Sequence, residues 1–291
     1  MPIRLGWSGA ALVLVAATLA PPRTGDPQVT TVNDLVYSTV DGTDLRLDLA
    51  APVEGVGPFP AVVVFYGGAW RTGNKWGNRP ILAEFARRGF VAIAPQYRHC
   101  PLNRFPAQVH DAKAAVRWLR THTTDYRVDG DRIGAMGFSA GAHLSLMLGV
   151  TGPADGLEGT APADSPTTRV QAVVNYFGPT DLAATDISPF SQGLVRDFLG
   201  ANAADQPKLA ASASPLTFVD RTDPPILTFH GTADTVVPVT QATRLSEAMT
   251  KAGMAGRTEL LSGLGHGWTG APMNRTMEAT YAFFAQELRK R

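Results

Sequence analysis

One serine, one aspartate and one histidine in this chain stand in contexts suited to nucleophilic attack on a carbonyl carbon. Ser139 is the centre of Gly137-Phe138-Ser139-Ala140-Gly141, a G-x-S-x-G pattern whose small flanking residues permit a turn too tight for larger ones. A hydroxyl presented on such a turn is held away from the backbone. The apolar helix that follows it points its first amides and positive dipole end at the place where an oxyanion would develop. A serine hydroxyl is a poor nucleophile until an imidazole takes its proton, and that imidazole needs a carboxylate to fix its tautomer and stabilise its charged form. His266, in Gly263-Leu264-Gly265-His266-Gly267-Trp268, and Asp234, in Gly231-Thr232-Ala233-Asp234, supply both groups in the order Ser, Asp, His. Asp181, in Gly178-Pro179-Thr180-Asp181, is the rival acid, whereas Asp220 and Asp223 read as loop charges.

The remaining histidines suit the task less well. His143 lies one turn along the serine's helix, on its packing side, and His230 precedes Asp234 by four residues, where it ties the loop together. His99, His110 and His122 fall on less suitable segments, and the single cysteine, Cys100, lacks any elbow and reads as packing.

These groups have to be positioned by the elements before them. The apolar run at 61–65, the strand at 90–94, the serine strand, and the runs at 170–177, 225–230 and 258–261 alternate with segments of helical periodicity. Strands separated by helices require a mostly parallel sheet covered on both faces, an α/β architecture whose ligands sit at the strands' C-terminal ends. Every candidate residue falls there, as does the loop Tyr66-Gly67-Gly68-Ala69-Trp70. Two further strands around Asp41-Gly42 pair as an antiparallel edge. Residues 179–222 are irregular and read as a small cap excursion, with Phe190, Leu194, Phe198 and Leu199 on one helical face. So little apolar wall suits acyl groups of about two to four carbons better than long chains.

Composition limits the rest. The chain has 291 residues, 44% hydrophobic, and a formal net charge of +1, which suits one large domain over 32–291 and offers nucleic acid no basic surface. Residues 1–31 combine Arg4, an apolar run from Leu5 to Ala20 and a polar exit, the grammar of a signal peptide, with an uncleaved anchor as the weaker alternative. The expectation is a secreted or periplasmic protein without stable membrane association once that leader is cleaved. With one cysteine no intrachain disulfide forms, and no metal-ligand spacing or dinucleotide-binding glycine pattern calls for a cofactor.

Several motifs then fall in order: Leu45-Arg46-Leu47-Asp48-Leu49, Tyr66-Gly67-Gly68-Ala69-Trp70, Pro95-Gln96-Tyr97-Arg98, Phe105-Pro106-Ala107-Gln108 with Asp111, Gly137 to Gly141, His230-Gly231-Thr232-Ala233-Asp234 and Gly265-His266-Gly267-Trp268. With them the chain resembles the α/β-hydrolase superfamily over roughly residues 33–290, and within it the secreted branch of bacterial feruloyl-esterase-like and acetylesterase-like proteins. The resemblance implies Ser139 as nucleophile, His266 as base and Asp234 as its orienter, with the backbone N–H groups of Gly68, Ala69 and Ala140 as oxyanion donors. Tyr66 stands where the family pattern begins with histidine. The expected function is a serine carboxylesterase acting on short, small-molecule acyl esters, aromatic or carbohydrate-linked ones included. An amide or peptide hydrolase with the same triad and a non-catalytic binding protein are the alternatives. Trp70, Trp76 and Tyr97 read first as packing aromatics, and Trp70, Tyr97 and Trp268 are the candidate substrate contacts.

Overall fold

The computed structural model describes residues 28–162 and 164–289. Its eight strands are β1 (Val29–Val40), β2 (Thr43–Pro52), β3 (Phe59–Phe65), β4 (Val91–Pro95), β5 (Val128–Phe138), β6 (Ala172–Tyr176), β7 (Ile226–Gly231) and β8 (Gly256–Leu261). They form one sheet in the order β1-β2-β4-β3-β5-β6-β7-β8. β1 and β2 make the antiparallel edge and β2 pairs antiparallel with β4. From β4 to β8 every pairing is parallel.

The leader expected over residues 1–31 lies outside the described residues up to 27. Among the described residues β1 starts at Val29, which pairs with Pro52 and lies three residues before the boundary expected at 32. The run Val29-Thr30-Thr31-Val32 is wholly β-branched, which suits it to extend the ladder.

The helices are α1 (Arg79–Arg87), α2 (Ala107–Thr121), the short α3 (Thr123–Tyr126), α4 (Ala140–Val150), α5 (Pro189–Leu199), α6 (Pro207–Ser212), α7 (Thr240–Ala252) and α8 (Gly270–Arg289). The central strands are apolar on both faces because helices cover both. Ala61, Val63 and Phe65 of β3 belong to a buried cluster on the face of α2 and α4, while Val62 and Val64 belong to one on the face of α1 and α8. α4, whose residues are all buried, crosses the middle of the first layer. Residues 179–222 do leave the sheet, as α5, α6 and connecting turns, before β7 returns. The result is the α/β-hydrolase architecture, with the loops after β3, β5, β7 and β8 gathered at one end.

Candidate active site

The turn between β5 and α4 is built for close approach. A Cβ on Gly137 would lie 2.3 Å from the carbonyl carbon of Gly141, and one on Gly141 would lie 2.4 Å from the carbonyl oxygen of Tyr66. Neither position has room for any side chain. Ser139 between them adopts φ 53°, ψ −119°, left-handed geometry that costs a non-glycine residue about 1–3 kcal/mol and needs a firm surround. Its N–H donates to the Tyr176 carbonyl at 2.9 Å, and its carbonyl accepts from His143 N–H at 3.0 Å. Ser139 occupies the N-cap position of α4, yet its side chain caps nothing. Its hydroxyl is instead 2.9 Å from His266 Nε2.

His266 Nδ1 donates to Asp234 Oδ2 at 2.8 Å, and the ring lies edge-on to Phe177 with centroids 4.9 Å apart. The other oxygen of Asp234 accepts N–H bonds from Val236 and Val237 at 2.9 and 2.8 Å. Burial alone would raise the pKa of this carboxyl, but hydrogen bonds from His230, His266 and Val237 outweigh it and hold it lowered to about 2. It is therefore ionised beside the imidazole at any ordinary pH.

The rival acid lies elsewhere. Asp181 lines the cavity, with Oδ2 3.9 Å from Arg244 and Oδ1 accepting from Ala183 N–H. His230 is wholly buried and donates through Nε2 to the Val237 carbonyl at 2.8 Å, fastening the acid's loop. Cys100 is buried, its thiol pushed up to about 11 chiefly by burial.

The loop after β3 is held in an unusual backbone state. Ala69 and Trp70 both have positive φ, 54° and 56°, and Gly68 has φ 124°. The turn is closed by Arg71 and Thr72 N–H onto the Gly68 carbonyl, which leaves the amides of Gly68 and Ala69 out of that turn's bonding. Ala140 is the first residue of α4, so its N–H has no helical acceptor.

Two anchors hold this loop. Tyr66, in the position where the resemblance expects histidine, stacks on Tyr97 at 4.4 Å, and its carbonyl accepts from the Tyr97 hydroxyl at 3.0 Å. Its own hydroxyl meets His99 Nε2 at 3.2 Å. On the other side the Trp70 indole stacks on Phe198 of α5 at 4.1 Å and donates to His143 Nδ1 at 3.2 Å. His143 Nε2 in turn donates to the Ala213 carbonyl at 2.8 Å. Burial keeps that histidine neutral by lowering its pKa to about 4, against the opposing pull of the Ala213 bond. One buried imidazole thus ties the loop, the serine's helix and the cap together. Only the buried position of His143 was readable in sequence, since its partners come from residues 70 and 213.

A cavity of about 450 Å³ opens beside Ser139 and His266. Leu182, Ile187, Phe190, Leu194 and Val195 form its cap side, and Asn74, Gly77, Asn78 and Ile81 form the opposite wall. That wall is fixed from behind by an ionic cluster that sequence reading missed: buried Lys75 pairs with buried Asp48 and with Asp34 at 2.6 Å, and Arg79 pairs with Asp48 at 2.6 Å. Asp48 lies on β2 within Leu45-Arg46-Leu47-Asp48-Leu49 and is fully buried.

The aromatic expectations need correction. Of the three candidate substrate contacts only Trp70 lines the cavity. Tyr97 is buried under Tyr66, and Trp268 is buried against Phe177 with its indole N–H donating to Thr276. Trp76 is 60% exposed and outside the lining. The cap is also more apolar toward the cavity than its sequence suggested, because Leu182 and Ile187 fold over it. Phe198 and Leu199, expected on the same face as Phe190, are buried beneath.

Known proteins place this geometry in context. The BD-FAE family profile matches residues 47–249. The probable carboxylic ester hydrolase LipM of Mycobacterium tuberculosis is 36% identical over 64% of this chain and 44% of its own length. Esterase LipC of the same organism is 32% identical over 80% of this chain and 60% of its own. The chain therefore spans about half the length of these curated relatives. Among solved structures, a truncated carbohydrate esterase from gut microbiota superposes with TM-score 0.81 at 29% identity, covering 92% of this chain and 99% of that one. Esterase Est2 of Thermogutta terrifontis, with propionate bound, superposes with TM-score 0.73 at 29% identity over 91% and 96% of the two chains.

Proposed function

The chain belongs to the BD-FAE family of α/β-hydrolases, and from that premise we propose that it hydrolyses carboxylic esters of small molecules with Ser139 as nucleophile. The observation that carries this reading is a single line of contacts. A hydroxyl that caps no helix is 2.9 Å from an imidazole whose other nitrogen is 2.8 Å from an ionised, buried carboxylate. His266 takes the proton of Ser139 as its oxygen attacks the ester carbonyl, and Asp234 stabilises the resulting imidazolium. The amides of Gly68, Ala69 and Ala140 receive the developing oxyanion. His266 then protonates the departing alcohol, and a water activated by the same imidazole releases the acid.

Short acyl groups suit the cavity best. Its roughly 450 Å³ has to hold both halves of the ester, which leaves no place for a long extended chain even though each buried methylene is worth about 0.8 kcal/mol. Structures of the similar esterase Est2 with propionate and with butyrate bound support the same size class. Across p-nitrophenyl esters from acetate to palmitate, kcat/KM of the purified protein is expected to peak between about two and four carbons and to fall beyond eight. A steady rise to palmitate would contradict the size class, and no turnover of any ester would contradict the function.

The anchoring of the oxyanion loop gives a further expectation. Trp70→Phe keeps a ring on Phe198 but loses the bond to His143, and should lower kcat on the order of tenfold with KM nearly unchanged. Trp70→Ala loses both and should fall on the order of a hundredfold. Equal kcat values in the three proteins would mean that the loop keeps its geometry without this anchor.

A further inference from the structure

The lining of the cavity carries an uneven charge. Among its residues there is no lysine or arginine, and apart from His266 the one acid or base among the side chains, the Tyr66 phenol aside, is Asp181. The neighbouring polar side chains are engaged within the protein. Gln241 accepts from the N–H groups of Thr180 and Asp181 through Oε1 and donates to the Asp181 carbonyl through Nε2. Ser191 donates to the Val236 carbonyl at 2.6 Å, and Asn78 to the Val64 carbonyl at 3.0 Å. Asp181 Oδ1 accepts from Ala183 N–H at 3.1 Å, while Oδ2 has only a long ion-pair contact with Arg244.

The nearest cation is shared with a second acid. Arg244 is 3.9 Å from Asp181 Oδ2, beyond hydrogen-bond reach, and 3.0 Å from Asp186 Oδ1. The Asp186 carboxyl is held below its usual range first of all by that hydrogen bond. Two carboxylates thus share one guanidinium, and the less engaged of them faces the cavity.

Asp181 lines the same cavity as Ser139 and His266. Tyr176, whose carbonyl accepts from Ser139 N–H, ends the strand five residues before Asp181. A carboxylate facing a semi-enclosed apolar cavity attracts a cation far more strongly than one in open water, because the local dielectric is lower and the walls exclude counter-ions.

We infer that the cavity selects among esters by charge, with Asp181 favouring substrates that carry a positive group beyond the scissile bond over neutral or anionic ones of the same shape. This rests on the esterase reading above and deepens it, naming a cationic ester as the preferred class. The carboxylate takes no part in bond breaking; it raises the occupancy of cationic substrates.

The test is a matched pair that differs in one charge: butyrylcholine and its carbon isostere 3,3-dimethylbutyl butyrate, with Asp181→Asn as the variant. Asparagine can keep the bond from Ala183 N–H through its carbonyl oxygen, so the turn is preserved. Wild type is expected to favour the choline ester in kcat/KM on the order of fivefold at low salt, through KM, with the ratio falling as salt is added. In Asp181→Asn the ratio should fall to within about twofold of one. A wild-type ratio at or below one, or a ratio that Asp181→Asn leaves unchanged, overturns the inference. The second of these would assign the preference to the aromatic rings of the lining. If neither ester is hydrolysed although p-nitrophenyl butyrate is, or both are turned over without charge preference, the inference alone falls, whereas no turnover of p-nitrophenyl butyrate either removes the esterase reading and this inference with it.

Discussion

Ser139→Ala is expected to leave a folded protein whose ester hydrolysis has dropped by about 10³-fold or more. The change removes one hydroxyl from a residue whose side chain caps no helix and meets His266. Few packing atoms go with it. The backbone bonds that hold the turn, from Ser139 N–H to Tyr176 and from His143 N–H to Ser139, do not involve the side chain. Alanine also suits the narrow space between Gly137 and Gly141, so thermal stability should hold or rise slightly as a strained polar group is simplified. Activity above a tenth of wild type in Ser139→Ala would remove the serine from the chemistry.

Asp234→Asn is expected to be nearly as damaging, on the order of 10³-fold in kcat, and far worse than Asp181→Asn on the neutral ester. The local bonding explains why. Asparagine can keep Oδ1 as acceptor for Val236 and Val237 N–H, and then presents its amide N–H group to His266. That forces Nδ1 of the imidazole to accept and Nε2 to carry the proton. Nε2 is the atom that must receive the proton of Ser139. His266→Ala removes the base altogether and should match the loss in Ser139→Ala, because members of such a unit do not add when deleted together. Parallel kcat measurements on the four variants check the ranking. A larger loss in Asp181→Asn than in Asp234→Asn would mean that the acid comes from β6 rather than β7.

Much of this was legible in sequence because the relevant signals are local. The glycines about Ser139, each apolar run or helical period, and the positions of Asp234 and His266 just past strand ends are each read within a short stretch of chain. The mostly parallel sheet follows from the same alternation, whereas the crossing that sets β4 between β2 and β3 does not. What sequence hid depends on contacts between distant segments. Trp70 read first as a packing aromatic and also as a candidate substrate contact, but sequence did not show that its indole meets His143 and Phe198, residues 73 and 128 positions away, so that it serves the loop as well as the cavity. Tyr97 and Trp268 have the same aromatic character and end up buried, since burial of an aromatic at a strand end depends on which loop folds over it. The Lys75, Asp48 and Asp34 cluster was invisible because nothing in the local pattern announces that a lysine next to the exposed Trp76 is itself fully covered. The cap misled for a related reason. Its wall comes from Leu182 and Ile187 in irregular chain as well as from α5, and helical periodicity says nothing about such segments.

Covalent labelling tests the role of Ser139 most directly. The similar esterase Est2 of Thermogutta terrifontis has been captured phosphorylated by paraoxon, so the same reagent, followed by peptide mapping by mass spectrometry, suits this chain. We expect one diethyl phosphoryl group per molecule, carried on the peptide containing Ser139, with esterase activity lost in step with labelling. Ser139→Ala should take up none, and Asp234→Asn should label far more slowly. Label on a different residue, or full esterase activity in protein whose Ser139 is fully modified, would contradict it.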